Sequence, residues 1–356
     1  MAPLTPAFEF EYHESVASLE PQLNASAAVL ELLASACLSG DAYEQRILTV
    51  RKKRRTISVP SRELDSVQRR INELIFPVDL LMGPQVHGYV ARRSTKTNAT
   101  VHVGAKFLQK FDVMDFFDSI TEAQVAQVLV EIGFGSEAAA LLARLVTCMG
   151  RLPLGARTSP RISNLILGNF DFEMSTLAED LGLQYTRFAD DLSFSSQSAF
   201  NIHTEVESAL NSYGFLLNSE KSKSFKHGQP MFVTGLAISD DQFPRLRKRL
   251  KSHLRMEFYF VEKYGVGEHA RRIGRDAGRT ASRMMGQFHY ARSIEPDFAA
   301  NLAVLYPNAF RALIPARTDE SIDRVQRHRQ EFLEEVGSAP SGNLPVYIPT
   351  ARFGSR

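Results

Sequence analysis

Two aspartates stand side by side in Gln184-Tyr-Thr-Arg-Phe-Ala-Asp-Asp-Leu-Ser-Phe-Ser195, between two short apolar and polar runs. The runs read as the strands of a hairpin that carries Asp190 and Asp191 at its tip. A turn that only has to turn gains nothing from adjacent carboxylates, which repel unless a cation lies between them. Such a pair suits divalent-metal phosphoryl transfer if a third carboxylate arrives from another strand. Aspartate pairs also occur on ordinary surface turns, so the third carboxylate decides between the two readings. Its candidate is Asp112, where the β-like run of Lys106-Phe-Leu-Gln-Lys-Phe-Asp-Val-Met-Asp-Phe-Phe-Asp-Ser-Ile120 ends and passes through Asp115 into a helix start.

The elements that must hold these residues follow from periodicity and caps. A helix is predicted over 17–38, with Leu30, Leu33 and Cys37 at helical spacing, then a hairpin of 46–50 and 55–59 ended by Pro60. A helix is expected from Glu63 towards Ile75, with Leu64, Val67, Ile71, Leu74 and Ile75 on its buried face. Ser119-Ile-Thr-Glu122 reads as a capping box for a helix that Gly133 stops, and Ser136 as the cap of another ending near Gly150. Ser159-Pro160 opens one long helix towards Gly182. In the hairpin, Phe188 is expected beneath the turn and Arg187 on the opposite side, because neighbouring strand residues alternate. A helix over 202–213 precedes strands over 215–223 and 232–238 about a turn near Gly228. From Pro244 onward the pattern is helical and basic, a polar helix is expected over 318–336, and a Gly-, Pro- and Ser-rich tail follows from Gly337. No Gly-rich nucleotide fingerprint interrupts the alternation, which favours an antiparallel sheet backed by helices over a doubly wound domain.

The 356 residues, 44% hydrophobic and 23% charged, suffice for a sizeable core. No apolar run approaches a membrane span and the amino terminus shows no leader pattern, so a cytoplasmic protein without a membrane partner is expected. Cys37 and Cys148 lack ligand-like spacing and read as buried thiols. Net charge is only +2, but Arg51-Lys-Lys-Arg-Arg55 forms one basic block. Arg245, Arg247, Lys248, Arg249, Lys251 and Arg255 form a second, continued by Arg271, Arg272, Arg275, Arg279 and Arg283. Such blocks are often plain solvated faces; flanking a metal cleft, they point to phosphate-backbone binding.

The order Asp112, Phe116-Phe117-Asp118-Ser119-Ile120, Leu152-Pro-Leu-Gly-Ala-Arg-Thr-Ser-Pro160 and Phe188-Ala-Asp-Asp191 resembles the reverse transcriptases of bacteria. Asn98-Ala-Thr-Val-His102 and Val233-Thr-Gly235 resemble the Asn-Ala-x-x-His and Val-Thr-Gly elements of retron reverse transcriptases, and the likeness runs from roughly Arg46 to Tyr290. The resemblance implies an α+β right-hand polymerase with fingers, an antiparallel palm sheet backed by helices and an α-helical thumb. Its boundaries would be a helical segment over 1–45, fingers and the retron-like element over 46–105, palm over 106–240, thumb over 241–316, and a helix with flexible tail over 317–356.

The same resemblance implies two Mg²⁺ ions on Asp112, Asp190 and Asp191, with Lys221, or alternatively Lys223, near the leaving pyrophosphate. It places Arg55, Val113, Asp115, Phe117 and Gly155 around the incoming nucleotide: Phe117 as the aromatic gate under the sugar, Asp115 through its backbone amide, Arg55 on phosphate and base. Asn98 and His102 would position nucleic acid or serve as satisfied structural groups, and Arg247, Lys248 and Arg249 would grip it. Three departures stand out: Leu154 replaces a glutamine, Arg157 a proline and Phe188 a commoner tyrosine. Neither Leu154 nor Arg157 touches an expected metal ligand. The implied partners are a structured noncoding RNA with its DNA copy, deoxynucleoside triphosphates and an effector protein, in anti-phage defence. Competing readings are a defence or intron-related reverse transcriptase with other priming, and a non-catalytic RNA-binding scaffold.

Overall fold

A left-handed residue divides the helix expected over 17–38. Asn24, at φ 52, closes α1 (Val16–Leu23), and the chain restarts as α2 (Ala27–Ser39), bent from it by 92°. The computed structural model describes residues 15–50, 53–74, 82–240 and 242–313, and among these no single helix is long and apolar enough to cross a membrane. β1 (Tyr43–Val50) and β2 (Lys53–Pro60) form the expected hairpin, and α3 (Arg62–Leu74) buries Leu64, Val67 and Ile71, with Gln68 beside them. Ile75 lies outside the described residues.

Local caps differ from the expected ones by a residue or two. After α4 (Thr95–Thr100), β3 (Phe107–Asp112) and α5 (Phe116–Ser119), the helix α6 (Glu122–Glu131) is capped by Thr121 paired with Gln124. Ser119 instead ends α5, its hydroxyl donating to Phe116 O at 2.9 Å. Gly135 is the N-cap of α7 (Ser136–Val146), and Thr158 that of α8 (Ser159–Ile166), because the Ser159 hydroxyl is drawn to Pro153 O at 2.6 Å. The long helix expected towards Gly182 is two, broken where Leu167 relaxes to ψ 4 before α9 (Gly168–Asp180).

β4 (Gln184–Phe188) and β5 (Asp191–Ser196) make the aspartate hairpin; α10 (His203–Ser212) and β6 (Lys223–Lys226) follow. The sheet order is β4-β5-β3-β6, antiparallel throughout, and its Phe111, Leu192 and Phe194 join one core with α6, α7 and α9. The hairpin expected about Gly228 does not form: β6 takes β3 as its partner, and β7 (Phe232–Val233) pairs with β8 (Leu236–Ala237) alone. Their link, Thr234 at φ 45 and Gly235 at φ 86, is a tight two-residue turn of the kind that needs positive φ at both positions. Thr234 Oγ1 donates to Thr95 O at 2.8 Å, so the Val-Thr-Gly element is tied to the helix that carries Asn98.

The chain divides into two compact units between Arg245 and Leu246. The described part of the second is all helical: α11 (Lys248–Arg272), kinked at Gly265, then α12 (Ala277–Ile294), α13 (Pro296–Leu305) and α14 (Pro307–Leu313). Phe258, Phe288 and Phe310 pack together within it in tilted and edge-to-face pairs, with centroids 4.5–5.9 Å apart. The helix expected over 318–336 and the tail after it lie outside the described residues. Helices and an antiparallel sheet together make the class α+β.

Candidate active site

Asp112, the last residue of β3, stands directly across from Asp191, the first of β5. Side chains so paired share a face, with Cβ atoms about 4.5–5.5 Å apart. Asp190 occupies the two-residue turn with Ala189, and its carbonyl accepts from Val113 N at 3.1 Å, which fixes the turn against the end of β3. Ala189 takes φ 58, a conformation that costs a residue with a Cβ roughly 1–2 kcal/mol. Lys221 Nζ donates to Asp112 Oδ1 at 2.5 Å and Asn218 Nδ2 to the same oxygen at 3.2 Å, while Lys110 Nζ lies 3.8 Å from Asp191.

The electrostatics fit a cation. Burial, then the charges of Asp112 and Asp191, push the Asp190 carboxyl above the usual range; burial also raises that of Asp191, against the pull of Lys110. The donors are all hard oxygens, the set that suits Mg²⁺. Among the described residues no three His, Cys, Asp or Glu side chains converge closely enough to grip an ion in the positions shown, and Asp112 accepts from Lys221 and Asn218.

Beneath the turn lies a network that sequence reasoning missed. Arg187 is the buried residue and Phe188 only half-buried, the reverse of the expected arrangement. Its guanidinium binds the Asp171 carboxylate of α9 with Nε at 2.8 Å and Nη2 at 2.5 Å, and through Nη1 reaches Asn164 Oδ1 at 3.0 Å and Ala189 O at 3.2 Å. Tyr185 Oη, on the same strand face, donates to Asp171 at 2.7 Å. Because each guanidinium nitrogen finds an acceptor, the charge can sit at 0% exposure. One sequence signal was available: an arginine inside an otherwise uncharged strand demands a counterion from another element.

The remaining predicted residues separate into groups. Phe117 is half-buried beside buried Phe116, with ring centroids 5.3 Å apart. Asp115 is exposed at φ 44, at the start of α5. Arg55 is exposed on β2, and Gly155 sits against the same strand at φ 121, where a Cβ would come within 2.9 Å of Ser58 O. Leu154 O accepts from Ser58 N at 2.8 Å, and Arg157 clamps Asp65 of α3 through two contacts of 2.7 and 2.9 Å. Of these two departures, only Arg157 fastens the loop through its side chain; the Leu154 contact is made by its backbone.

Val113, Asn98 and His102, expected near the nucleotide or the nucleic acid, are all buried. Val113 is buried and its amide already serves Asp190. Asn98 and His102 are each 1% exposed; His102 Nδ1 lies 2.7 Å from Ser195 Oγ and Nε2 2.7 Å from Thr186 Oγ1. With both ring nitrogens used inside the core, His102 joins the end of α4 to both hairpin strands. Burial drops its pKa to about 3, which keeps the ring neutral. Arg247, Lys248 and Arg249 are exposed at the start of α11, in the second unit.

Residues 45–238 match the family model described as reverse transcriptase (RNA-dependent DNA polymerase). The retron Mx65 reverse transcriptase of Myxococcus xanthus is 35% identical over 230 residues, 57% of this chain and 54% of that one. The retron Ec86 reverse transcriptase of Escherichia coli is 33% identical over 238 residues, 64% of this chain and 74% of that one. The chain therefore spans about half the length of the first relative. A solved telomerase from Candida albicans, in complex with a fragment of telomeric RNA, aligns with a TM-score of 0.44 at 12% identity, over 84% of this chain and 61% of that one.

Proposed function

Because this chain belongs to the reverse transcriptase family, in its bacterial retron branch, we propose that it copies RNA into DNA, with a structured noncoding RNA as template and deoxynucleoside triphosphates as substrates. The observation that carries the reading is Asp112 opposite Asp191 across β3 and β5, with Asp190 pinned beside them in the turn. In this reading the sheet is a palm over 106–240, residues 46–105 are fingers and 241–316 a thumb. Asp112, Asp190 and Asp191 would hold two Mg²⁺ ions, which supply Lewis acidity to the attacking 3′-hydroxyl and the departing pyrophosphate. Lys221, poised at Asp112, supplies a cation or proton donor for the leaving group. Phe117 presents a ring to the sugar, Arg55 and Gly155 lie on the β2 side of the nucleotide, and the Asp115 amide faces the triphosphate.

Arg247, Lys248 and Arg249 crowd the start of α11, where the helix dipole is already positive and the first turn holds no acidic residue. That placement weakens the helix and suits an anionic partner, in this reading the RNA backbone. The RNA-linked DNA product would act with an effector protein in anti-phage defence. Sequencing nucleic acid that copurifies with the protein, beside primer extension in Mg²⁺, tests the reading. RNA joined to its complementary DNA is expected; no incorporation by well-folded protein on any RNA template would overturn it.

A further inference from the structure

Residues 82–93 form a loop fastened to the aspartate hairpin at every turn. His87 N donates to Arg187 O and Arg187 N to Gln85 O, each at 2.8 Å, as if a short extra strand lay on β4. Arg93 gathers the carbonyls of Met82, Gly83 and Val86, and Asn164 Nδ2 donates to Gly88 O at 2.9 Å. A Cβ on Gly88 would stand 2.4 Å from Ala189 N, so no other residue lets the loop approach the turn this closely. The next residue, Tyr89, is driven to φ 62. A bulky aromatic in that region is an outlier, and such outliers persist where the surroundings over-determine them.

The strained backbone delivers the Tyr89 ring to a definite place. Its centroid is 6.4 Å from that of Phe117, whose other neighbour is Phe116, itself packed on Phe215 at 6.1 Å. Phe117 thus has two aromatic neighbours, one in the core and one 44% exposed. The Tyr89 hydroxyl is raised above the usual phenol range by burial and by the Asp190 carboxylate, against Arg187 and Arg55, so it lies in the field of the site. We propose that Tyr89 is a specificity-determining residue that holds Phe117 upright against the nucleotide sugar and so sets the preference for deoxynucleotides. This rests on the reading of Phe117 as the sugar gate. Without the Tyr89 ring, Phe117 gains a rotamer that swings into the vacated space and leaves room for a 2′-hydroxyl.

Single-nucleotide extension with deoxy- and ribonucleotides, compared as kcat/KM ratios, tests it on the full chain. Tyr89→Ala and Tyr89→Leu should cut the preference for deoxynucleotides by roughly tenfold, the order of discrimination that small changes in pocket shape carry. Tyr89→Phe, which keeps the ring, should retain the wild-type ratio. An unchanged ratio in the alanine and leucine variants overturns the inference, as does complete loss of incorporation in both with normal melting, which would place the ring in the chemistry. Phe117→Ala separates this from the underlying reading. If Phe117→Ala relaxes selection and the Tyr89 variants do not, only the inference fails; if Phe117→Ala leaves the ratio unchanged, the gate reading fails and takes the inference with it.

Discussion

Arg187, wholly buried in β4, donates through Nη1 to the carbonyl of Ala189 at 3.2 Å, one residue ahead of Asp190. The backbone that presents the catalytic candidates is therefore held from below by a charge, and that charge is balanced by Asp171 from α9.

Removing one partner of this buried pair should be far worse than removing both. Asp171→Ala leaves an unpaired guanidinium and should destabilise the protein by about 3–5 kcal/mol, whereas Asp171→Leu combined with Arg187→Met should recover much of that loss. Urea denaturation measures both. A small loss for Asp171→Ala would mean that Asn164 and Ala189 alone satisfy Arg187.

Asp190→Asn and Asp191→Asn should each reduce DNA synthesis to background while leaving the fold intact. Burial and neighbouring carboxylates already disfavour the Asp190 charge, so the melting temperature of Asp190→Asn should equal or exceed that of wild type. Chelating divalent ions should silence the wild type in the same primer-extension assay. Wild-type incorporation by either variant would remove that aspartate from the chemistry.

His102 makes stability depend on acid. Its folded pKa is about 3 against an ordinary 6.5, through burial first and then His87 and Lys110, so the unfolded chain binds a proton that the folded one refuses. Its contribution is complete above pH 6.5 and is lost as pH falls from there towards 3. His87, lowered to about 4 by burial and then by Arg93, adds to the same limb. His102→Gln should be less stable at pH 7 by about 1–3 kcal/mol through its disturbed buried hydrogen bonds, yet show a shallower acid limb. Parallel curves for variant and wild type across this range would contradict the buried neutral ring.

RNA affinity should fall steeply with salt. Replacing Arg247, Lys248 and Arg249 together by alanine should flatten the slope of log affinity against log salt by up to about 0.9 for each duplex phosphate that is no longer neutralised, less on single strands. Matched and unrelated RNA should weaken alike, because phosphates carry no base identity. Filter binding across a salt series checks this, and weakening confined to one RNA with an unchanged slope would make the cluster a base reader.

The order of Asp112, the Leu152–Pro160 run and the Asp190-Asp191 pair was legible in the sequence because turn chemistry and strand alternation are local properties, and so were the hairpin of β1 and β2 and the helical, basic character after Pro244. Helix breaks at Asn24 and Leu167 escaped the reading, since an apolar stripe continues across a change in one or two backbone angles. The fate of polar residues was decided only in three dimensions. Alternation shows that Arg187 and Phe188 face opposite ways, but which side can bury a charge depends on Asp171 and Asn164 arriving from α9 and α8. His102 became a core residue for the same reason, its two acceptors or donors lying 84 and 93 residues away on the hairpin strands. Strand partners also required the fold: β6 is too short and too polar to show which neighbour it would join, and the open edge of β3 supplied one.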